Sequence, residues 1–312
     1  MNVAIVFIML LFNFVMNKFP AKKIVGSRHT SSNIFENHIN SGEFAINDKW
    51  NNMNKMNNMN KWIYNDHKLY LKDDEFIKNK KLISISPGGF NGFYMLGTSA
   101  FIKEKYVLDN YIFSGASAGA WNSLFMTFKQ NPHEFIADVL DEKLHNSISI
   151  IDLEYAIKYK ILNKYTDNDF DLKKLFIGVT SFENMKVTTH IFSNFNTLED
   201  ALNCCIASSH IPYITGTSFL NKYKNMNAFD GGFSKYPYLN VIEPSLHITP
   251  SIWKENGVNT TKNCIEKLLN LPTRVSKYAT GFSMHAYNFT DLFDMGYNDA
   301  KKNKDFLDSI FI

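Results

Sequence analysis

The stretch YIFSGASAGAWNSLF, residues 111 to 125, decides the fold. It opens as a β-like run, Tyr111 to Ser114, and passes through Gly115-Ala116-Ser117-Ala118-Gly119. It then places Trp121, Leu124, Phe125 and Phe128 at i, i+3, i+4 and i+7. That spacing predicts a helix with one buried face. A strand that turns into a helix through small residues has the form of a nucleophile elbow, in which a serine is held on a tight turn with its hydroxyl exposed. Ser117 is then the candidate nucleophile. The plainer reading is a Gly/Ser turn ahead of an ordinary helix.

Upstream, Leu82 to Ser86 reads as a buried strand halted by Pro87-Gly88-Gly89, and Phe93 to Tyr106 as a largely apolar helix. Downstream, helices are expected at His133 to His145 and Ile151 to Leu162. Strands are expected at Phe176 to Thr180 and Val187 to Ser193, joined near Glu183 to Lys186. Thr197 and Asp200 resemble a capping box ahead of the stripe Leu198, Ala201, Leu202, Cys205 and Ile206, which places Cys205 in the core. Ser245 to Thr249 alternates as a strand, and Asp291 to Ile310 is expected to be helical. Alternating strands and helices predict an α/β fold of three layers, a central mixed sheet flanked by helices.

The chain has 312 residues, 45% of them hydrophobic, enough for a substantial core. Its net charge of +3 is spread along the sequence, apart from pairs such as Lys22-Lys23 and Lys80-Lys81, which does not suggest nucleic acid as a partner. Three cysteines, Cys204, Cys205 and Cys264, fit neither a disulfide framework nor metal-ligand spacing, and favour a reducing compartment. The sequons at Asn259 and Asn288 matter only in a translocated chain. Val3 to Met16 is almost uninterrupted apolar sequence, shorter than the ~20 residues that span a bilayer. No Lys or Arg precedes it, whereas Lys18, Lys22, Lys23 and Arg28 follow. That order suits a membrane anchor with the catalytic body in the cytosol. A cleaved secretory signal and a buried segment are the alternatives. Residues 1–17 are thus read as an anchor or signal. Residues 18–75, with the run NNMNKMNNMNK at Asn51 to Lys61, read as a disordered linker, and residues 76–312 as the catalytic domain.

Acyl transfer needs donors aimed at the oxyanion of the tetrahedral intermediate. Gly88 and Gly89 follow a strand and open a helix, so their N–H groups can meet a developing anion at the positive end of a helix dipole. Their plainer reading is a tight turn. Asp230-Gly231-Gly232, far downstream, offers a carboxylate on a flexible turn. Asp230 would take the Ser117 proton directly, but at an ordinary pKa of ~3.9 a carboxylate is a feeble base, and burial must strengthen it. In isolation Asp-Gly-Gly is more often a surface turn.

These segments together resemble the patatin-like phospholipase family, in its adiponutrin and adipose triglyceride lipase branch. The glycine loop is Pro87-Gly88-Gly89-Phe90-Asn91-Gly92 with Phe93, Tyr94 and Gly97 after it, and the elbow runs from Ser114 to Ala120. Ala207 to Pro212 is similar to the family's Ser-x-x-Ile-Pro segment, and Gly296 to Ala300 to its Gly-Tyr-x-Asp helix. The likeness covers residues 82 to 306. It implies a patatin-like fold and hydrolysis of carboxylic esters in phospholipids or acylglycerols at a membrane or lipid interface. It further implies an acyl-Ser117 intermediate, the dyad Ser117 and Asp230, and motif glycines Gly92, Gly115, Gly119, Gly231 and Gly232, with no metal or cofactor. Two positions depart from the pattern. Pro87 replaces the first loop glycine and has no N–H to give, and Asn91 stands where many members carry a basic residue. Two other readings stay open. One is a Ser-Asp-His triad using His247 or His285, and the other is a non-catalytic lipid-binding descendant.

Overall fold

Along each central strand successive side chains enter different cores, as the two-residue period of an extended chain requires. Ile83, Ile85, Phe113 and Ile177 join one hydrophobic cluster, whereas Leu82, Ile112 and Phe176 join the other. Both faces of these strands are therefore covered. The computed structural model describes residues 60–64, 67–71, 75–141, 144, 150–183, 186–212, 214–234, 236–253 and 288–312. The apolar run Val3 to Met16, most of the Asn/Met/Lys run, the Asn259 sequon, Cys264 and His285 lie outside the described residues.

In chain order the first half comprises β1 (Asn60–Tyr64), β2 (His67–Leu71), α1 (Glu75–Lys78), β3 (Lys81–Ile85), α2 (Gly92–Lys105), β4 (Tyr111–Ala116), α3 (Ala118–Thr127) and α4 (Pro132–Val139). The second half comprises α5 (Ile150–Lys164), β5 (Leu175–Glu183), β6 (Lys186–Phe192), α6 (Leu198–Ser208), β7 (Asn221–Tyr223), β8 (Met226–Phe229), β9 (Pro244–Ile248), α7 (Phe289–Lys302) and α8 (Lys304–Phe311). The strands form one mixed sheet in the order β1-β2-β6-β5-β4-β3-β9, with β8 pairing to β5 and β7 to β8. β3 runs parallel to β4 and β9, and β4 parallel to β5, while β5 and β6 form an antiparallel hairpin.

The larger cluster lies between the sheet and the helical layer. It gathers Met95 and Phe101 of α2, Phe125 of α3, Phe135 of α4, Leu153 of α5 and Leu202 of α6. On the opposite face Ile77 of α1 and Leu239 cover Leu82, Ile112 and Phe176. The result is the three-layer α/β architecture expected from the sequence. Full burial of each phenylalanine among Phe101, Phe113, Phe125 and Phe128 contributes about 2–3 kcal/mol. Local signals set the helix starts. The Asn131 side chain accepts from His133 N–H with Pro132 next, and Thr197 accepts from Asp200 N–H.

Three boundaries differ from expectation. The sheet starts inside the segment read as linker, since His67–Leu71 pairs in parallel with β6. Its Leu69 and Leu71 are buried, which supplies the apolar surface that the Asn-rich stretch before it lacks. The C-terminal helix is two helices broken at Asn303 (φ −98°, ψ 27°), whose side chain donates back to the Asp299 carbonyl. The helix expected to start at His133 ends at Val139, with Leu140 as its cap; residues 142, 143 and 145 lie outside the described ones.

Candidate active site

Ser117 occupies the point where β4 ends and α3 begins, with φ 54° and ψ −128°. Positive φ is unusual for any residue but glycine, and it turns the chain sharply enough to lift the side chain out of the strand. The turn fits only because its neighbours lack side chains. A Cβ at Gly115 would stand 2.1 Å from the Gly119 carbonyl oxygen, and one at Gly119 would stand 2.1 Å from that of Ile85. Glycine at both positions lets the start of α3 lie directly on β3 and β4.

Ser117 is 6% exposed, and its Oγ donates to Asp230 Oδ2 at 2.6 Å. Its backbone N–H donates to Ser208 Oγ at 2.8 Å, and that hydroxyl donates onward to the Gly178 carbonyl at 2.6 Å. The C-terminal residue of α6 thereby ties the elbow to β5. Asp230 is 5% exposed. It caps the short turn Gly231–Phe233, its Oδ1 accepting from Gly232 N–H at 2.6 Å, and its own N–H donates to the His210 carbonyl at 2.8 Å. Burial pushes its carboxyl up to about 6, against the opposing pull of the Ser117 hydroxyl and the Gly232 amide. A residue expected to be a surface turn when read alone is held in the interior beside Ser117.

The glycine loop lies alongside. Gly89 has φ 53° and lines the same cavity as Ser117 and Gly92. Gly88 precedes the short turn Gly89–Asn91 that leads into α2, and its carbonyl accepts from Asn91 N–H at 3.1 Å. Pro87 packs against the acid turn, where a Cβ on Gly232 would meet its ring carbons at 3.1 and 3.3 Å. The proline that departs from the glycine pattern thus forms part of the wall behind Asp230.

His247, a possible third member of a triad, is elsewhere. It sits on β9, where its Nδ1 hydrogen-bonds Ser84 Oγ at 2.7 Å and its ring meets Tyr238 edge-on. A triad needs an imidazole between serine and acid, whereas Ser117 and Asp230 touch directly. Cys204 and Cys205 are buried free thiols raised by that burial, in the core as expected for Cys205. Among the described residues no group of three His, Cys, Asp or Glu side chains is placed to hold a metal ion, and no helix is long and apolar enough to cross a membrane.

A cavity of about 110 Å³ opens beside Ser117. Its walls are almost wholly apolar and include Phe93, Leu96, Phe135, Val139, Leu153 and Ile157. Sequence reasoning missed three contributors to this region. Ser208 carries the elbow N–H, though only the likeness of Ala207 to Pro212 to a family segment pointed there. Ser209 receives Trp121 Nε1 at 3.2 Å and lines the cavity. Glu154 lines it from α5, where the available signal was an acidic residue inside the apolar stripe Leu153, Ile157 and Ile161.

Comparison with known proteins agrees with this geometry. The family model for patatin-like phospholipases matches residues 83–241, from β3 through the elbow to just beyond the Asp230 turn. The chain belongs to the patatin-like phospholipase family. Human patatin-like phospholipase domain-containing protein 4 is 24% identical over 165 residues, which cover 49% of this chain and 64% of that protein. The chain therefore spans just under two thirds of that curated relative. Membership in the patatin-like phospholipase family supports lipid acyl hydrolysis in general terms.

Proposed function

We propose that this patatin-like chain hydrolyses carboxylic esters of phospholipids or acylglycerols through an acyl-Ser117 intermediate, with Asp230 as the base. The observation that carries this reading is the 2.6 Å hydrogen bond from Ser117 Oγ to a buried Asp230, on a strained elbow that opens into an apolar cavity. Asp230 takes the hydroxyl proton as Oγ attacks the ester carbonyl. The Gly88 and Gly89 N–H groups face the oxyanion that forms, and removing one such donor typically costs ~3–4 kcal/mol of transition-state stabilisation. Collapse breaks the ester C–O bond, and the leaving alcohol takes the proton from Asp230. A water molecule, deprotonated by Asp230, then attacks the acyl-serine, and Ser117 recovers its proton as the fatty acid leaves.

The cavity supports an acyl chain as its occupant. Its volume of about 110 Å³ and its almost wholly apolar walls suit the hydrocarbon of an acyl chain bound beside Ser117. We further infer that the enzyme works at a membrane or lipid interface, with Val3 to Met16 as an anchor and the catalytic body in the cytosol. Mass-spectrometric profiling of a lipid extract incubated with wild type or Ser117→Ala tests the reaction and the substrate together. Fatty acid release by wild type alone is expected, and equal release by both removes Ser117 from the mechanism.

A further inference from the structure

The apolar cavity contains one acidic side chain. Glu154 lies on α5 between Leu153 and Ile157, and it is 7% exposed. An ionised carboxylate in such a wall needs a cation. Lys158, one turn along, gives its ammonium to Asn203 at 2.7 Å and Glu199 at 3.3 Å. The Ser209 hydroxyl lines the same cavity as Glu154. That hydroxyl has a single proton, which goes to the Cys205 carbonyl at 2.9 Å, and one of its lone pairs receives Trp121 Nε1 at 3.2 Å. With that proton committed to Cys205 and Lys158 bonded to other partners, Glu154 lacks the donors an ionised carboxylate needs, and the neutral acid is the form this wall favours. Electrostatics agree. Burial pushes the Glu154 carboxyl well above the usual carboxylate range, and the Asp230 charge adds to the rise.

A neutral acid on this wall brings a carbonyl oxygen to an almost wholly apolar lining. An unsubstituted acyl chain leaves that acceptor unpaired, whereas a hydroxyl on the chain satisfies it. We propose that Glu154 is a specificity-determining residue that selects acyl chains bearing a hydroxyl group, whose O–H donates to the Glu154 carbonyl oxygen. The proposal rests on the acyl-hydrolase reading above, since it takes the cavity beside Ser117 as the acyl site.

The test uses the full chain, with p-nitrophenyl octanoate and its monohydroxylated positional isomers as substrates for wild type, Glu154→Gln and Glu154→Met. One buried hydrogen bond shifts such a preference by about tenfold. For the best isomer, the ratio of kcat/KM on hydroxylated to plain ester should fall about tenfold in Glu154→Met. Glu154→Gln should keep the ratio, because its amide still offers a carbonyl. Calorimetric binding of hydroxyoctanoate and octanoate to the same three proteins reads the pocket without turnover. Ratios equal in all three proteins, in hydrolysis and in binding, overturn the proposal. If wild type cleaves none of the esters but binds hydroxyoctanoate about tenfold better than Glu154→Met does, the pocket preference stands and the acyl-hydrolase reading falls.

Discussion

At Ser117 the backbone holds φ 54° and ψ −128°, a conformation that costs a side-chain-bearing residue on the order of 1–3 kcal/mol. Glycine adopts it freely, so Ser117→Gly should raise the melting temperature above that of Ser117→Ala, with both variants inactive. Thermal denaturation of the pair measures the stored strain. Asp230 carries a second such conflict. Its carboxyl is raised from 3.8 to about 6, so as a base it should lose activity below about pH 6, and kcat/KM should fall there with a single-proton slope. Its effect on stability runs the other way. A carboxyl whose folded-state pKa is raised contributes most below its unfolded value, and that contribution is lost as pH rises through about 6. Asp230→Asn should therefore be inactive yet more stable than wild type at pH 8, by up to about 3 kcal/mol, with the gain absent near pH 4. Denaturant titrations at the two pH values check it.

At the scale of elements, α2 carries the glycine loop at its start and α7 holds α2 in place. The two helices meet at bare backbone: a Cβ at Gly97 would stand 2.0 Å from the Phe293 carbonyl oxygen, and one at Gly296 would stand 1.9 Å from that of Tyr94. Phe289 stacks on Phe93 at 4.2 Å, and Tyr94 Oη donates to Asp299 at 2.9 Å. Adding a methyl group at Gly296 forces the helices apart. Gly296→Ala should cost about 1–3 kcal/mol and lower kcat by shifting the loop, whereas Asp299→Asn should leave kcat near wild type. Melting curves and esterase rates on both variants separate packing from polar contact. The strands and helices that build the elbow were legible in sequence because their apolar spacing and their glycines answer to local geometry. Tyr111 to Ser114 and the Trp121 stripe are where they were expected, and the strand runs on to Ala116. β2 was not legible, since its Leu69 and Leu71 alternate too briefly to stand out beside an Asn-rich run. The break at Asn303 was hidden for a different reason: apolar residues continue on both sides of it in helical spacing. Ser208 and Glu154 were hidden because their roles depend on which residues face them across the fold.

At the scale of the whole molecule, residues from the ends of separate elements converge at one side of the sheet. Ser117 comes from the end of β4, Asp230 from the turn after β8, Ser208 from the end of α6 and the glycine loop from the end of β3. The family match spans all four of these segments. An acyl hydrolase that acts at an interface should also bind membranes, so the full chain should co-float with liposomes and a chain lacking residues 1–17 should co-float less. Equal flotation would remove the anchor from the account. The role of Ser117 as the nucleophile is read most directly by labelling with a fluorophosphonate probe followed by peptide mass spectrometry. An adduct is expected on Ser117 in wild type and none in Ser117→Ala, with labelling slowed at least about 100-fold in Asp230→Asn, in line with loss of a positioned base. No adduct on folded wild-type protein, or equal labelling of wild type and Asp230→Asn, would contradict it.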